Sequence, residues 1–223
     1  MTYDWDFSIL APYRDALLKG AGVSILLALY SSVIGTVIGI ALGGIYEKLP
    51  MKGVFLFLND ALRSLPPLVA IFFFYFFPYR ALFGIYPPSA FLCATAALAL
   101  SQAVFTAELV RAAKATVPQA PILAAQGLGV SEGAIWWHVV FPDILRQILP
   151  ALIAFWIGNL KLSSLASVIG VEEVVFVAKV AVGQQFRTLE AWVAVAIIYM
   201  ALVLPFTLLA RRIETSDWIK RRA

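Results

Sequence analysis

The chain carries a single cysteine, Cys93, and a single histidine, His138, among 223 residues. One thiol forms no intrachain disulfide. One His and one Cys are too few for a zinc site, so no metal is expected. Charge is scarce as well. Asp, Glu, Lys and Arg make up 13% of the sequence, about half the share of a soluble domain. That scarcity excludes a disordered chain, a nucleic-acid module and an ordinary soluble enzyme. No Gly-x-x-x-x-Gly-Lys occurs, so any energy from ATP has to come from a partner. No cleaved leader is expected either, because Asp4, Asp6, Arg14, Asp15 and Lys19 come before any long apolar run.

What is present is apolar: 62% of residues are hydrophobic. A spanning helix needs about 20 predominantly apolar residues. Ala21 to Tyr46 qualifies, uncharged throughout. Gly53 to Tyr79 follows, with Asn59, Asp60 and Arg63 in its first third. The third span begins near Ser89, after the Pro87-Pro88 turn, and runs past Glu108. The fourth covers Gln147 to Val171 and contains Lys161. The fifth covers Ala191 to Ala210. Val174 to Phe186 is too short to cross and reads as a re-entrant or surface segment.

Five spans place the termini on opposite sides. With the N-terminus outside, the inner segments hold ten basic residues, Lys48, Lys220, Arg221 and Arg222 among them, against five outside. The positive-inside rule therefore favours N-out, C-in. The net charge of +4 fits basic flanks of membrane spans rather than a nucleic-acid surface. The expected organisation is an outer segment over residues 1–19, a membrane domain over 20–213 with a long inner connection at about 116–142, and a basic tail over 214–223. Trp5, Ile9, Leu10, Tyr13, Leu17 and Leu18 share one helical face. They suit either a short helix lying on the membrane or a plain lead-in with aromatic anchors.

Span one carries Ser31, Gly35, Gly39 and Gly43 at four-residue spacing. Such a smooth stripe lets another helix approach closely. It serves either the chain's own bundle or a seam with a second subunit.

The connection from Thr116 to Asp143 is too broken by proline and glycine to span. Pro121 suits the first turn of a helix. Gly129 suits a left-handed stop. Ser131 can cap the next helix, with Glu132 in its first turn. The expected form is a short helix, a glycine break and a second helix returning to the membrane, well made for docking into another protein.

These residues resemble a known pattern. Leu123-Ala124-Ala125, three residues, Gly129, nine residues, Val139, one residue, and Phe141-Pro142 match the spacing of the Glu-Ala-Ala loop in permease subunits of bacterial ATP-binding-cassette importers. Arg63-Ser64-Leu65-Pro66 resembles the Arg-Gly-Thr-Pro of that family's polar amino-acid uptake branch. Ala107-Glu108-Leu109-Val110-Arg111 resembles its Ala-Glu-Ile-Ile-Arg. Lys161-Leu162-Ser163-Ser164-Leu165, followed by Val168-Ile169-Gly170-Val171, resembles its Lys-Asp-Thr-Ser-Leu and Val-Ile-Gly-Val. The matches run in order along nearly the whole chain.

The resemblance implies an all-α, five-helix permease of the bacterial inner membrane that works as a dimer. It implies a coupling helix at about 120–129, with Leu123, Ala124, Ala125, Gly129, Ser131 and Pro142 in the coupling loop. The implied partners are a cytoplasmic ATPase dimer that binds ATP and Mg, a second permease copy or relative, and a periplasmic solute-binding protein. Membrane lipid surrounds the bundle, nucleic acid has no part, and the chain itself has no cofactor and no catalytic residue. Lys161, Ser163, Ser164, Arg63 and Ser64 become candidates for the translocation path.

Two departures stand out. Leu123 replaces the motif Glu, and Leu162 replaces an Asp that suits a substrate ammonium. Leu162 fits the non-binding half of a heterodimer, a substrate without a free ammonium, or a path without a specific site. Asp60 and Arg63 read as an internal ion pair or as support for a gate. Lys161 reads as pore-facing or as a partner of Glu172 or Glu173. An ion-coupled transporter is disfavoured, because neither an internal repeat nor a mid-span carboxylate is seen. A channel or scaffold would leave the glycine-broken loop without a purpose.

Overall fold

The computed structural model describes residues 3–46 and 50–214. Lys48 and the basic tail from 215, with Lys220, Arg221 and Arg222, lie outside the described residues. The elements are a 3-10 segment Phe7–Tyr13, α1 Arg14–Ile45, α2 Lys52–Arg63, α3 Pro67–Phe76, α4 Tyr79–Phe83, α5 Ala90–Ala115, α6 Gln119–Gly127, α7 Glu132–Ile135, a π-helical stretch Trp136–Val140, α8 Phe141–Leu162, a second 3-10 segment Ser163–Ile169, α9 Val174–Gln185 and α10 Thr188–Glu214. Among the described residues four helices are long and apolar enough to cross a membrane, or five when the bent pair α2–α3 counts as one span.

The glycine stripe settles where α1 packs. A Cβ placed on Gly39 would lie 2.5 Å from Ala103 O and 2.5 Å from Thr106 Cβ. One on Gly43 would lie 2.6 Å from Ala107 O. Gly35 presses in the same way on Ala99 and Gln102. Ser31, Gly35, Gly39 and Gly43 are all buried. The stripe thus serves the chain's own bundle, with α1 parallel to α5 at backbone contact.

Span two is not one helix. Its halves meet at 98°. Pro66 and Pro67 lack the amide hydrogens that would continue α2, and a residue before proline is pushed out of helical geometry. Span four starts earlier than the hydropathy suggests: residues Glu132–Ile169 form one continuous helical run. Pro142 is tolerated inside it because the ladder widens ahead of it, where the Phe141 amide donates to Trp136 O.

The first helix also begins ahead of residue 20. Helix α1 starts at Arg14, so the amphipathic stretch is no separate surface helix. Its 3-10 turn packs Leu10 and Tyr13 on a cluster formed by Leu17, Val174, Val177 and Ala191. The segment Val174–Phe186 supplies α9, a 12-residue helix antiparallel to the first turns of α1. Tyr13 Oη meets Gln184 at one end of that pair, and Gly20 lies against the Glu173 backbone at the other.

Candidate functional site

Helix α6 stands off the end of the bundle at which α5 finishes and α7 begins. None of its residues is buried. It sits between stiff ends. The Val130 amide donates to Ala125 O at 3.1 Å and the Gly129 amide to Gln126 O at 2.9 Å. With Gly129 at φ +74, this is the paired-bond helix stop that only glycine adopts without strain. Ser131 Oγ then accepts from the Ala134 amide at 3.4 Å, capping α7.

The faces of α6 differ. Ile122 and Ala125 pack inward against a cluster containing Val110, Ala113, Val117 and Ile135. Leu123 is 61% exposed and Leu128 83%. Ala124 is exposed too. Between Lys114 and Glu132 no residue is charged. The outward face is therefore neutral, exposing Leu123, Ala124 and Leu128 with Gln119 and Gln126 also exposed, and large apolar side chains so exposed mark a contact surface.

The body beneath α6 is braced by charge. Arg111 grips Glu108 with both its Nε, at 2.9 Å, and its terminal nitrogen. Arg63 pairs with Asp60 at 3.5 Å, and Ser64 Oγ donates to Asp60 O at 2.9 Å. Lys114 Nζ lies 5.5 Å from the Trp136 ring. Arg63 and Ser64 thus sit at the α2–α3 elbow, and the structure does not bring them to the remaining path candidates.

Lys161 and Ser164 do meet. With Val195, Tyr199 and Met200 they line an open cavity of about 370 Å³ between α8 and α10. Ser163 is buried instead, donating to Leu160 O at 2.7 Å. Leu162 turns to the core cluster around Leu27, Ile71 and Leu98. Leu162, which stands where the motif this segment resembles has Asp, is absent from the lining of this cavity.

Three features escaped the sequence reading. The first is the capping role of Glu173, which the sequence offered only as a partner of Lys161: fully buried, it accepts from the Val175 and Phe176 amides at 3.0 and 2.9 Å and from Tyr199 Oη at 2.9 Å. It caps α9 and ties it to α10, and Lys161 is not among these partners. The second is a polar knot between α1, α5 and α8. Asn159 Nδ2 donates to Ser32 Oγ at 3.1 Å and Gln102 Oε1 at 3.3 Å, while Trp156 Nε1 donates to Thr36 Oγ1 at 3.0 Å. The third is a clip at the end opposite α6. Tyr3 Oη donates to Glu190 Oε2 at 2.7 Å, and Arg187 bridges Glu190 at 3.2 Å and Asp4 O at 2.6 Å. There the Glu190 carboxylate holds the Tyr3 hydroxyl above its ordinary pKa, and Ser8 holds the Asp6 carboxyl below its own. Lone amides in apolar spans were the available signal for the knot. The clip joins residues 187 positions apart and left none.

Comparison with known proteins places this arrangement. Residues 35–216 match the family described as binding-protein-dependent transport system inner membrane component. The octopine transport system permease protein OccM of Rhizobium radiobacter is 33% identical over 219 residues, covering 93% of this chain and 88% of that protein. The glutamine transport system permease protein GlnP of Escherichia coli K12 is 29% identical over 216 residues, covering 96% and 97%. Among solved structures, an amino acid ABC transporter chain crystallised with histidines superposes at TM-score 0.82 with 27% identity, covering 95% of this chain and 99% of that one. A chain of the MetNI methionine ABC transporter shares the fold at TM-score 0.73 and 19% identity, covering 91% and 96%. The chain belongs to the family of binding-protein-dependent transport system inner membrane components, in its amino-acid ABC transporter permease branch.

Proposed function

We propose that this chain is the membrane path of an ATP-driven importer for polar amino acids or their derivatives. It works as a dimer, with itself or a related permease. Its N-terminus and α9 face outward, toward a solute-binding protein, and α6 faces the cytoplasm. There α6 docks in a groove of an ATPase that carries the ATP and Mg, and no catalytic step occurs in this chain.

The observation that carries this reading is α6 itself. It is an exposed helix with a neutral outer face, stopped at Gly129 and continued through Ser131 into a helical run that reaches the Lys161 cavity. A push on α6 passes through that run without a flexible joint to absorb it. The neutral face, with Leu123 in place of Glu, calls for an apolar lining in the ATPase groove.

The substrate class rests on the relatives, whose names include octopine and glutamine transport. The cavity at Lys161 offers a cation and a hydroxyl, and Leu162 withholds a carboxylate from it. That set suits a carboxylate-bearing substrate whose ammonium is bound elsewhere or is absent. An octopine-type derivative and a heterodimer with the acid on the other subunit both fit.

The test is uptake into vesicles that hold the complete assembly, with and without internal ATP. Uptake that needs internal ATP supports the reading. Uptake driven by an ion gradient alone contradicts it. Ala124→Arg is the sharper docking variant, because Ala124 faces outward whereas Ala125 packs inward. It should abolish uptake while the assembly still inserts.

A further inference from the structure

Helix α2 turns 98° away from α3 at the Pro66–Pro67 elbow. Helix α3 packs beside α5, with Ala70 and Ile71 in one cluster with Ala94, Ala97 and Leu98. It follows the bundle, and α2 therefore runs across it. Two ring contacts fix the level at which α2 lies. Its Phe55 ring is 5.4 Å from that of Tyr46, the residue at which α1 ends. Arg111, one turn before the end of α5, stands 6.0 Å over the same Tyr46 ring. Helices α1 and α5 both finish there, at the α6 end of the bundle.

The sides of α2 meet different surroundings. Asn59 is buried against the bundle, and Phe55 beside it is half-buried. Lys52, Asp60 and Arg63 make an exposed polar side, on which Arg63 pairs with Asp60. Val54, Phe57, Leu58 and Ala61 recur at the spacing of one helical face. All four are exposed, Phe57 at 71%. We infer that α2 is an in-plane helix of the membrane surface at the α6 end. Its Val54–Phe57–Leu58 side is seated in the acyl boundary and its Lys52–Asp60 side is in water. A helix at a bilayer surface needs this division into apolar and charged sides. A helix crossing the hydrocarbon would turn the largely exposed Asp60 toward lipid, at high cost. Seated in this way, α2 holds the ends of α1 and α5, from which α6 hangs, at one height in the leaflet.

The experiment uses the assembled permease in phosphatidylcholine vesicles, with Cys93→Ala removing the native thiol. Val54→Cys, Leu58→Cys, Ala61→Cys and Lys52→Cys each carry a nitroxide in turn. Power saturation reads contact with oxygen, which concentrates in hydrocarbon, and with a nickel chelate, which stays in water. The labels at 54, 58 and 61 should favour oxygen and report one shared, shallow depth. The label at 52 should favour the chelate. A crossing helix would spread positions 54 and 61 over about 10 Å of depth, and that slope would overturn the proposal. Labels at 54, 58 and 61 that favour the chelate would overturn it by placing α2 clear of the bilayer. Labels shielded from both agents, with spin–spin coupling between copies, would overturn it in favour of a seam with a second permease.

Discussion

Tyr199 of α10 donates its hydroxyl to the buried carboxylate of Glu173 at 2.9 Å, and Glu173 caps α9 through two amides. The same hydroxyl lies 3.4 Å from Ser24 Oγ and 3.5 Å from Ser163 Oγ. One side chain thus links α1, α9, α10 and the end of α8. Beyond this link α10 is held by the Glu190 clip and the Ala191–Val195 packing near its start, while only 11% of its best spanning window is buried in this chain. Tyr199→Phe removes the donor and keeps the ring. The expected cost is roughly 1 kcal/mol, read as earlier thermal unfolding of the purified assembly and faster proteolysis near Phe186. Unchanged unfolding would show that the ring alone places α10.

The contact between α1 and α5 leaves no room for side chains. Gly39→Val forces a methyl group into Ala103 O and Thr106. Backbone sits on the far side of that contact, so the helices must part. The expected penalty is about 1–3 kcal/mol, seen as reduced yield of folded protein in membranes. Gly22→Ala, in the same helix with nothing within 4 Å of the added carbon, is the control and should be neutral.

Gly129 holds a left-handed conformation at φ +74. Gly129→Ala should cost about 1 kcal/mol locally and loosen α6 rather than the bundle. Transport would fall while thermal unfolding stays near the parent value. A drop in global stability with normal coupling would contradict this placement of the residue.

Leu162→Asp installs the acid of the motif that this segment resembles but places a carboxylate toward the Leu27, Ile71 and Leu98 cluster. We expect destabilisation of roughly 2–3 kcal/mol and no gain in transport. A gain in uptake of ammonium-bearing amino acids, without loss of stability, would show that the residue turns to the path.

Much of this was legible in the sequence, for physical reasons specific to each feature. Hydropathy located the spans because lipid demands a fixed apolar length. The Gly129 stop and the Ser131 cap were legible because both depend on one residue's own geometry. The stripe on α1 was legible as a contact, but its partner was not, because smoothness fits any helix. The 98° elbow at Pro66–Pro67 was hidden by hydropathy, which counts residues without direction. The Tyr3–Glu190 clip and the Ser32–Gln102–Asn159 knot join side chains distant in sequence, so periodicity carries no trace of them. The inward set of Leu162 depends on where the 3-10 segment begins, one residue after it.

The most direct test of the central claim is to purify the tagged chain from its native membrane and identify what accompanies it, beside the Ala124→Arg variant. The account predicts a cytoplasmic ATPase in fixed ratio with the parent permease, and its loss from the variant while the permease content is unchanged. If the parent yields no ATPase under conditions that keep a control importer intact, or if the variant retains it fully, α6 is not the coupling element.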